Sequence, residues 1–240
     1  ALGSQTAALE EPYEGTSDRG ILTIEPAALA RDVGRATAAG IAVAIHAIGD
    51  RAVRVALDAI AGASRVRAAP HRVEHLQLVR AEDLERFAGL GVVASMQPIH
   101  ATSDRDLVDR HWGARARRAY PWRSLIDRGV TLSFGSDAPV EPIDPLLGIH
   151  AAVARKRPGD PAPWHVEQAL TLDEALAGYA AGAAIGMGRA REAGTLRVGM
   201  VCDATIVDGD LAALPVAEWL DAKVSGTVVG GVVRHAAGIS

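Results

Sequence analysis

Three times in this chain an amphipathic stretch of helical period runs into a glycine, a short β-branched run follows, and that run stops at a polar residue. The first instance is Gly40 through Ile45, ending on His46; the second is Gly91 through Met96, ending on Gln97; the third is Gly129 through Phe134, leading to Ser136 and Asp137. A glycine just past a helix takes the left-handed conformation that closes it. A continuous apolar run of strand length is what a strand buried on both faces requires. A fourth run, His71 to His75, lacks the glycine and starts after Pro70. Helix alternating with apolar strand predicts βα units around a parallel sheet.

The helical stretches carry their own signals. Between Asp50 and Ala61, Val53, Ala56, Leu57 and Ile60 share one face, and Arg51, Arg54 and Asp58 take the other. Leu84, Phe87 and Ala88 make a similar stripe, as do Trp122, Leu125 and Ile126 ahead of Gly129. Thr171-Leu-Asp-Glu174 has the spacing of a capping box, in which two side chains satisfy free backbone N–H groups of the first turn; the helix it opens runs to Gly186 and Gly188. Residues 155–165 read as a proline-rich loop and the first twenty residues as an extended one. Beyond about residue 190 the texture changes to short β segments, Gly194–Gly199, Ala204–Asp208 and Gly226–Val233, which predict a small antiparallel appendage.

Composition narrows the function classes. Hydrophobic residues make up 49% of the 240 and charged ones 22%, a balance that supports a packed core and excludes disorder as the default. A formal charge of −4 gives no reason to expect nucleic acid as a partner. No apolar run approaches the 18 to 20 residues of a membrane span. The single Cys202 excludes an internal disulfide and a cysteine-cluster metal site, and with no basic-then-apolar leader it leads us to expect a reducing, cytoplasmic compartment. All but two of the 25 basic residues are arginine, the exceptions being Lys156 and Lys223; with so much Ala, Gly and Val this points to a GC-rich bacterial source. The chain opens on Ala1 without an initiator Met, so a start other than the natural one is expected.

In α/β barrels the chemistry collects at the carboxyl ends of the strands, where the loops converge. The residues in that position are His46, His75, Gln97 and Asp137. Two imidazoles and a carboxylate from three strands suit a divalent metal; zinc is the default by ligand type, with iron and manganese as alternatives. Taken singly, a strand-end histidine is usually a hydrogen-bonded residue with no metal; it is the set of two with Asp137, all at strand ends, that makes a ligand reading equally open. Glu74 alternates with His75 and is expected on the opposite face. His71, His111, His150, His165 and His235 are expected to be structural.

Read together, the motifs carry a resemblance. His46-Ala-Ile-Gly-Asp-Arg-Ala52, Arg72-Val-Glu-His75, Ser95-Met-Gln-Pro98 with His100, Gly135-Ser-Asp-Ala-Pro-Val140, and Gly194-Thr-Leu-Arg-Val-Gly199 followed by Asp203 occur in that order over nearly the whole chain. The series resembles the amidohydrolase superfamily, in the family 3 branch that includes N-substituted formamide deformylases. The resemblance implies a metal-dependent (β/α)8 barrel with a small β-sandwich, and hydrolysis of C–N and related bonds by metal-activated water on a small-molecule substrate. It further implies that His46 and His75 are the fifth- and sixth-strand metal ligands. Asp137 resembles the eighth-strand aspartate, a metal ligand and general base that later protonates the leaving group. Gln97 and His100 are implied to face substrate, and Arg115 to grip an anionic or carbonyl group.

This superfamily also supplies a His-x-His pair from its first strand, and no such pair occurs here. The implied fold is therefore the C-terminal half of the barrel, strands five to eight over residues 1–190, with part of the β-sandwich over residues 191–240. Closing that barrel would take the missing N-terminal half or an oligomer. A scaffold without turnover is the alternative expectation, and a phosphate-binding barrel is a weaker one, because no glycine-rich cradle follows a strand.

Overall fold

The structure is a computed structural model and describes residues 1–237. Four short strands, β1 (Ala44–Ala47), β2 (Arg72–His75), β3 (Val93–Met96) and β4 (Leu132–Phe134), form one sheet in sequence order. All three pairings are parallel, with Ala47 opposite His75, Glu74 opposite Ser95 and Ser95 opposite Ser133. Parallel neighbours need a crossover between them. These are supplied by α2 (Asp50–Ala61), α3 (Ala81–Leu90), and α4 (Pro98–Trp112) with α5 (Trp122–Ile126). Helix α1 (Pro26–Ala38) precedes β1, and α6 (Pro145–Ala154) follows β4. Gly91 closes α3 at φ +66°, as the sequence pattern requires.

The helices meet the sheet through the stripes read from the sequence. Val53, Ala56, Leu57 and Ile60 of α2 are buried, as are Leu84 and Phe87 of α3 and Trp122 and Leu125 of α5. They pack with Val73, Ala94 and Met96 of the strands into one core. The first twenty residues are more than an extended loop: Leu2, Leu9 and Tyr13 are fully buried, and the Tyr13 hydroxyl donates to the Ala7 carbonyl at 2.9 Å. Thr171 and Glu174 form the expected capping box at the start of α7 (Leu172–Ala177). The helix continues through a π-helical turn, Gly178–Gly182, into α8 (Ala183–Gly186). A Cβ on Gly182 would overlap the Leu132 carbonyl oxygen, so glycine there lets the helix lie directly on β4.

A second, antiparallel sheet joins β5 (Ala204–Val207), β6 (Val224–Val229) and β7 (Val232–Ala236) in that order. The segment expected as one β run over 226–233 is a hairpin turned at Gly230 and Gly231, whose φ values of +58° and +78° suit a two-residue primed turn. Gly194–Gly199 is turn and bend, with no strand. Among the described residues β1 pairs only with β2 and β4 only with β3, so both edges of the parallel sheet are unpaired. No helix among them is long and apolar enough to cross a membrane.

Candidate metal centre

The carboxyl ends of the parallel strands bring together three of the six site residues expected from the sequence, His75, His100 and Asp137, with His46 and Gln97 beside them. His46 is the penultimate residue of β1 and His75 the last of β2. His100 lies in the first turn of α4, behind its N-cap residue Gln97, and Asp137 follows three residues after β4. The His46 and His75 rings meet edge to face with centroids 4.5 Å apart, and His100 stacks on His75 at 6.1 Å. His100 Nε2 is 3.6 Å from Asp137 Oδ2. His75, His100 and Asp137 each offer a ligand atom, all within 4.8 Å of one another; His46 stands beside this group against the His75 ring.

The backbone is held in unusual conformations to achieve this. His75 has φ +74°, Leu76 +51° and Asp137 +59°, left-handed values that cost a non-glycine residue on the order of 1 kcal/mol or more and that concentrate at functional sites. The turn after His75 is pinned to the end of β1. The Leu76 N–H donates to the Ala47 carbonyl at 3.0 Å, and the Leu78 N–H donates to the Ile48 carbonyl at 2.9 Å. After β4, the Gly135 N–H still reaches Met96 O, and a turn closes from the Val140 N–H to Asp137 O at 2.9 Å.

Burial favours the neutral form of the two strand-end imidazoles. Burial pushes the pKa of His46 down, and burial followed by repulsion from His46 does the same for His75; the Asp137 carboxylate opposes both shifts. A neutral imidazole is the form that ligates a metal. Two buried polar atoms here have no hydrogen-bond partner, His75 Nδ1 and Gln97 Oε1. The Gln97 amide sits close enough to His75 to favour its protonated form, yet neither atom achieves hydrogen-bond geometry. Unsatisfied buried polar atoms are rare and call for an explanation such as a bound ion or water. The donor set and the orphaned ring nitrogen together fit a divalent cation.

The remaining candidates are occupied elsewhere. Arg115 is buried and gives its guanidinium to three backbone carbonyls, Glu11 at 2.9 Å, Pro12 at 2.6 Å and Trp112 at 3.2 Å. No hydrogen bond or ion pair among the described residues joins it to the histidines. Glu74 takes the Arg72 Nε–H at 2.5 Å and pairs in register with His46; the positive φ of His75 breaks the simple alternation expected between Glu74 and His75. The His71 ring accepts from the Val43 N–H at 3.2 Å and contacts the Ser64 carbonyl at 3.1 Å. Asp50 accepts the Glu10 N–H at 2.9 Å and so ties the first loop to α2. Sequence reasoning missed Glu141, whose Oε1 is 3.3 Å from His100 Nδ1. Its only signal in the sequence is its place directly after the Gly135–Val140 motif.

Comparison with known proteins identifies the family. The family model described as "Amidohydrolase family" matches residues 1–235. The amidohydrolase YtcJ of Bacillus subtilis is 33% identical over 98% of this chain and 45% of its own length. The N-substituted formamide deformylase of Arthrobacter pascens is 31% identical over 84% of this chain and 38% of its own. An uncharacterized metal-dependent hydrolase from Pyrococcus horikoshii superposes with a TM-score of 0.73 at 38% identity, over 83% of this chain and 41% of that one. The chain thus spans less than half the length of each of these relatives. With the match running through all four parallel strands and the second sheet, the chain belongs to the amidohydrolase family.

Proposed function

We propose that this chain supplies the carboxyl-terminal half of a metal-dependent hydrolase that cleaves C–N bonds of small non-peptide amides. Strands β1 to β4 would be strands five to eight of a (β/α)8 barrel within residues 1–190, and the second sheet part of a β-sandwich within 191–240. The observation that carries the reading is the convergence of His75, His100 and Asp137 within 4.8 Å at the carboxyl ends of the parallel strands, with His46 alongside. Relatives about twice as long and two unpaired sheet edges support completion of the barrel by a second half. The lone, exposed Cys202 supports a reducing, cytoplasmic setting.

His75 and Asp137, with His46 of β1 as the further strand-end imidazole and His100 beside them, would hold a divalent metal, zinc by donor type. Such an ion supplies Lewis acidity and lowers the pKa of water toward neutrality. Asp137, half-exposed at the mouth, is placed to accept a proton from the attacking water. The water oxygen bonds to the amide carbon, the C–N bond breaks, and Asp137 returns the proton to the leaving nitrogen. Gln97 and His100 line the same mouth, and the free Gln97 Oε1 is available to accept a hydrogen bond from substrate.

The test is hydrolysis of a panel of N-substituted formamides by the protein with its barrel-completing half. Release of formate and amine should cease with a chelator, return with zinc, and fall by about 10²–10⁴ in Asp137→Asn, the range for loss of a general base. Turnover indifferent to both the chelator and the substitution would reject the reading.

A further inference from the structure

Glu141 has no part in the reaction as described, yet it makes a direct side-chain contact with the histidine cluster. It lies in the loop after β4, its side chain 16% exposed, with Oε1 3.3 Å from His100 Nδ1. The His100 side chain is 7% exposed, sits against the His75 ring, and turns its other nitrogen, Nε2, toward Asp137 Oδ2 at 3.6 Å. We infer that Glu141 is a positioning residue: it fixes His100 in the tautomer protonated on Nδ1 and thereby makes Nε2 a further donor to the cation site. This rests on the metal-dependent reading given above.

A carboxylate can only accept, so the ring nitrogen facing Glu141 must carry the proton. In the neutral ring the other nitrogen then bears a bare lone pair. That lone pair faces a carboxylate oxygen across 3.6 Å, a distance too long for a hydrogen bond. With the ring neutral, these two electron-rich atoms repel unless a cation lies between them; a second proton on Nε2 would relieve the repulsion without a metal, and the tautomer measurement below separates the two cases. The spacing is close to the roughly 3.3–3.5 Å that separates two ligand atoms of a tetrahedral ion with bonds of about 2.0–2.2 Å. A histidine ligand commonly donates its second N–H to a carboxylate, which sets both the tautomer and the ring orientation. Asp104, four residues along α4, is already engaged by the Tyr120 hydroxyl at 3.1 Å, which leaves Glu141 as the hydrogen-bonded partner of Nδ1.

Two measurements test this. In metal-free, ¹⁵N-labelled protein, long-range ¹H–¹⁵N correlation spectra should show His100 protonated on Nδ1, and Glu141→Ala should convert it to a mixture of tautomers. In cobalt(II) titrations followed by absorption, Glu141→Ala should weaken binding by about 10- to 100-fold, the usual cost of losing such an outer partner. Glu141→Gln, whose amide oxygen still accepts, should recover part of that loss, and His100→Ala should match or exceed it. Circular dichroism of each variant confirms that the fold is retained. An Nε2-protonated His100 in the wild type would overturn the inference. So would Glu141→Ala and His100→Ala proteins that bind cobalt as the wild type does while His75→Ala does not. Failure of the wild type to bind cobalt would reject the metal reading instead, and the tautomer then decides for or against Glu141.

Discussion

At the scale of single residues, position along the strand was the readable quantity and partner identity was not. His46 and Asp137 could be placed at strand ends because each follows an apolar run, whereas the strand that His75 closes carries Arg72 and Glu74 and is marked off mainly by Pro70. The roles of Arg115 and Glu141 depend on segments that meet only in three dimensions: Arg115 bonds a loop more than 100 residues earlier, and Glu141 contacts a histidine 41 residues away. The expectation that Arg115 grips substrate gives way to a structural role that is open to test. Charge-assisted hydrogen bonds to buried carbonyls contribute about 1.5–3 kcal/mol. Arg115→Ala should therefore lower stability by about 2–3 kcal/mol in urea denaturation while KM stays unchanged. A raised KM at unchanged stability would restore the substrate-binding role.

At the scale of elements, legibility followed periodicity. Helix α2 was read to its exact bounds because its buried and exposed faces differ sharply in chemistry. Helix α4 escaped because its buried face includes Pro98, His100 and Thr102, so no apolar stripe marks it. Helix α6 escaped for the opposite reason, being apolar almost throughout. Residues Gly194–Gly199 have strand composition but find no strand to pair with among the described residues. The capping box of α7 was legible and has a measurable consequence. Glu174 is hydrogen-bonded first by Arg123 and then by the Thr171 backbone N–H, which together hold its pKa down at about 2 against an ordinary 4.5. Its folded-state pKa is depressed, so its contribution is complete above about pH 4.5 and is lost as pH falls toward 2. The stability difference between wild type and Glu174→Gln should shrink steadily over that interval in denaturant titrations. A difference constant from pH 5 to pH 2 would show that the Arg123–Glu174 pair does not set this pKa.

At the scale of the whole molecule, four strands of a parallel sheet make a mouth but not a closed barrel. Parallel sheets are normally covered on both faces, and an unpaired edge is a liability that proteins cover or close. Here β1 and β4 have one neighbour each, and a cavity of about 530 Å³ opens beside β1, lined by Thr6, Ile21, Leu29, Ile45, His46 and Ile48. The chain covers less than half the length of its relatives, and the proposed barrel would be completed along these edges. The histidine cluster nevertheless lies wholly within this chain, so the central claim can be tested on it directly. The decisive measurement is an anomalous difference map at the zinc edge from crystals of the protein grown with zinc. The account predicts a peak at the carboxyl ends of β1, β2 and β4, within bonding distance of His46, His75 and Asp137. A map with no peak there, or with zinc bound only at surface sites remote from these residues, would contradict it.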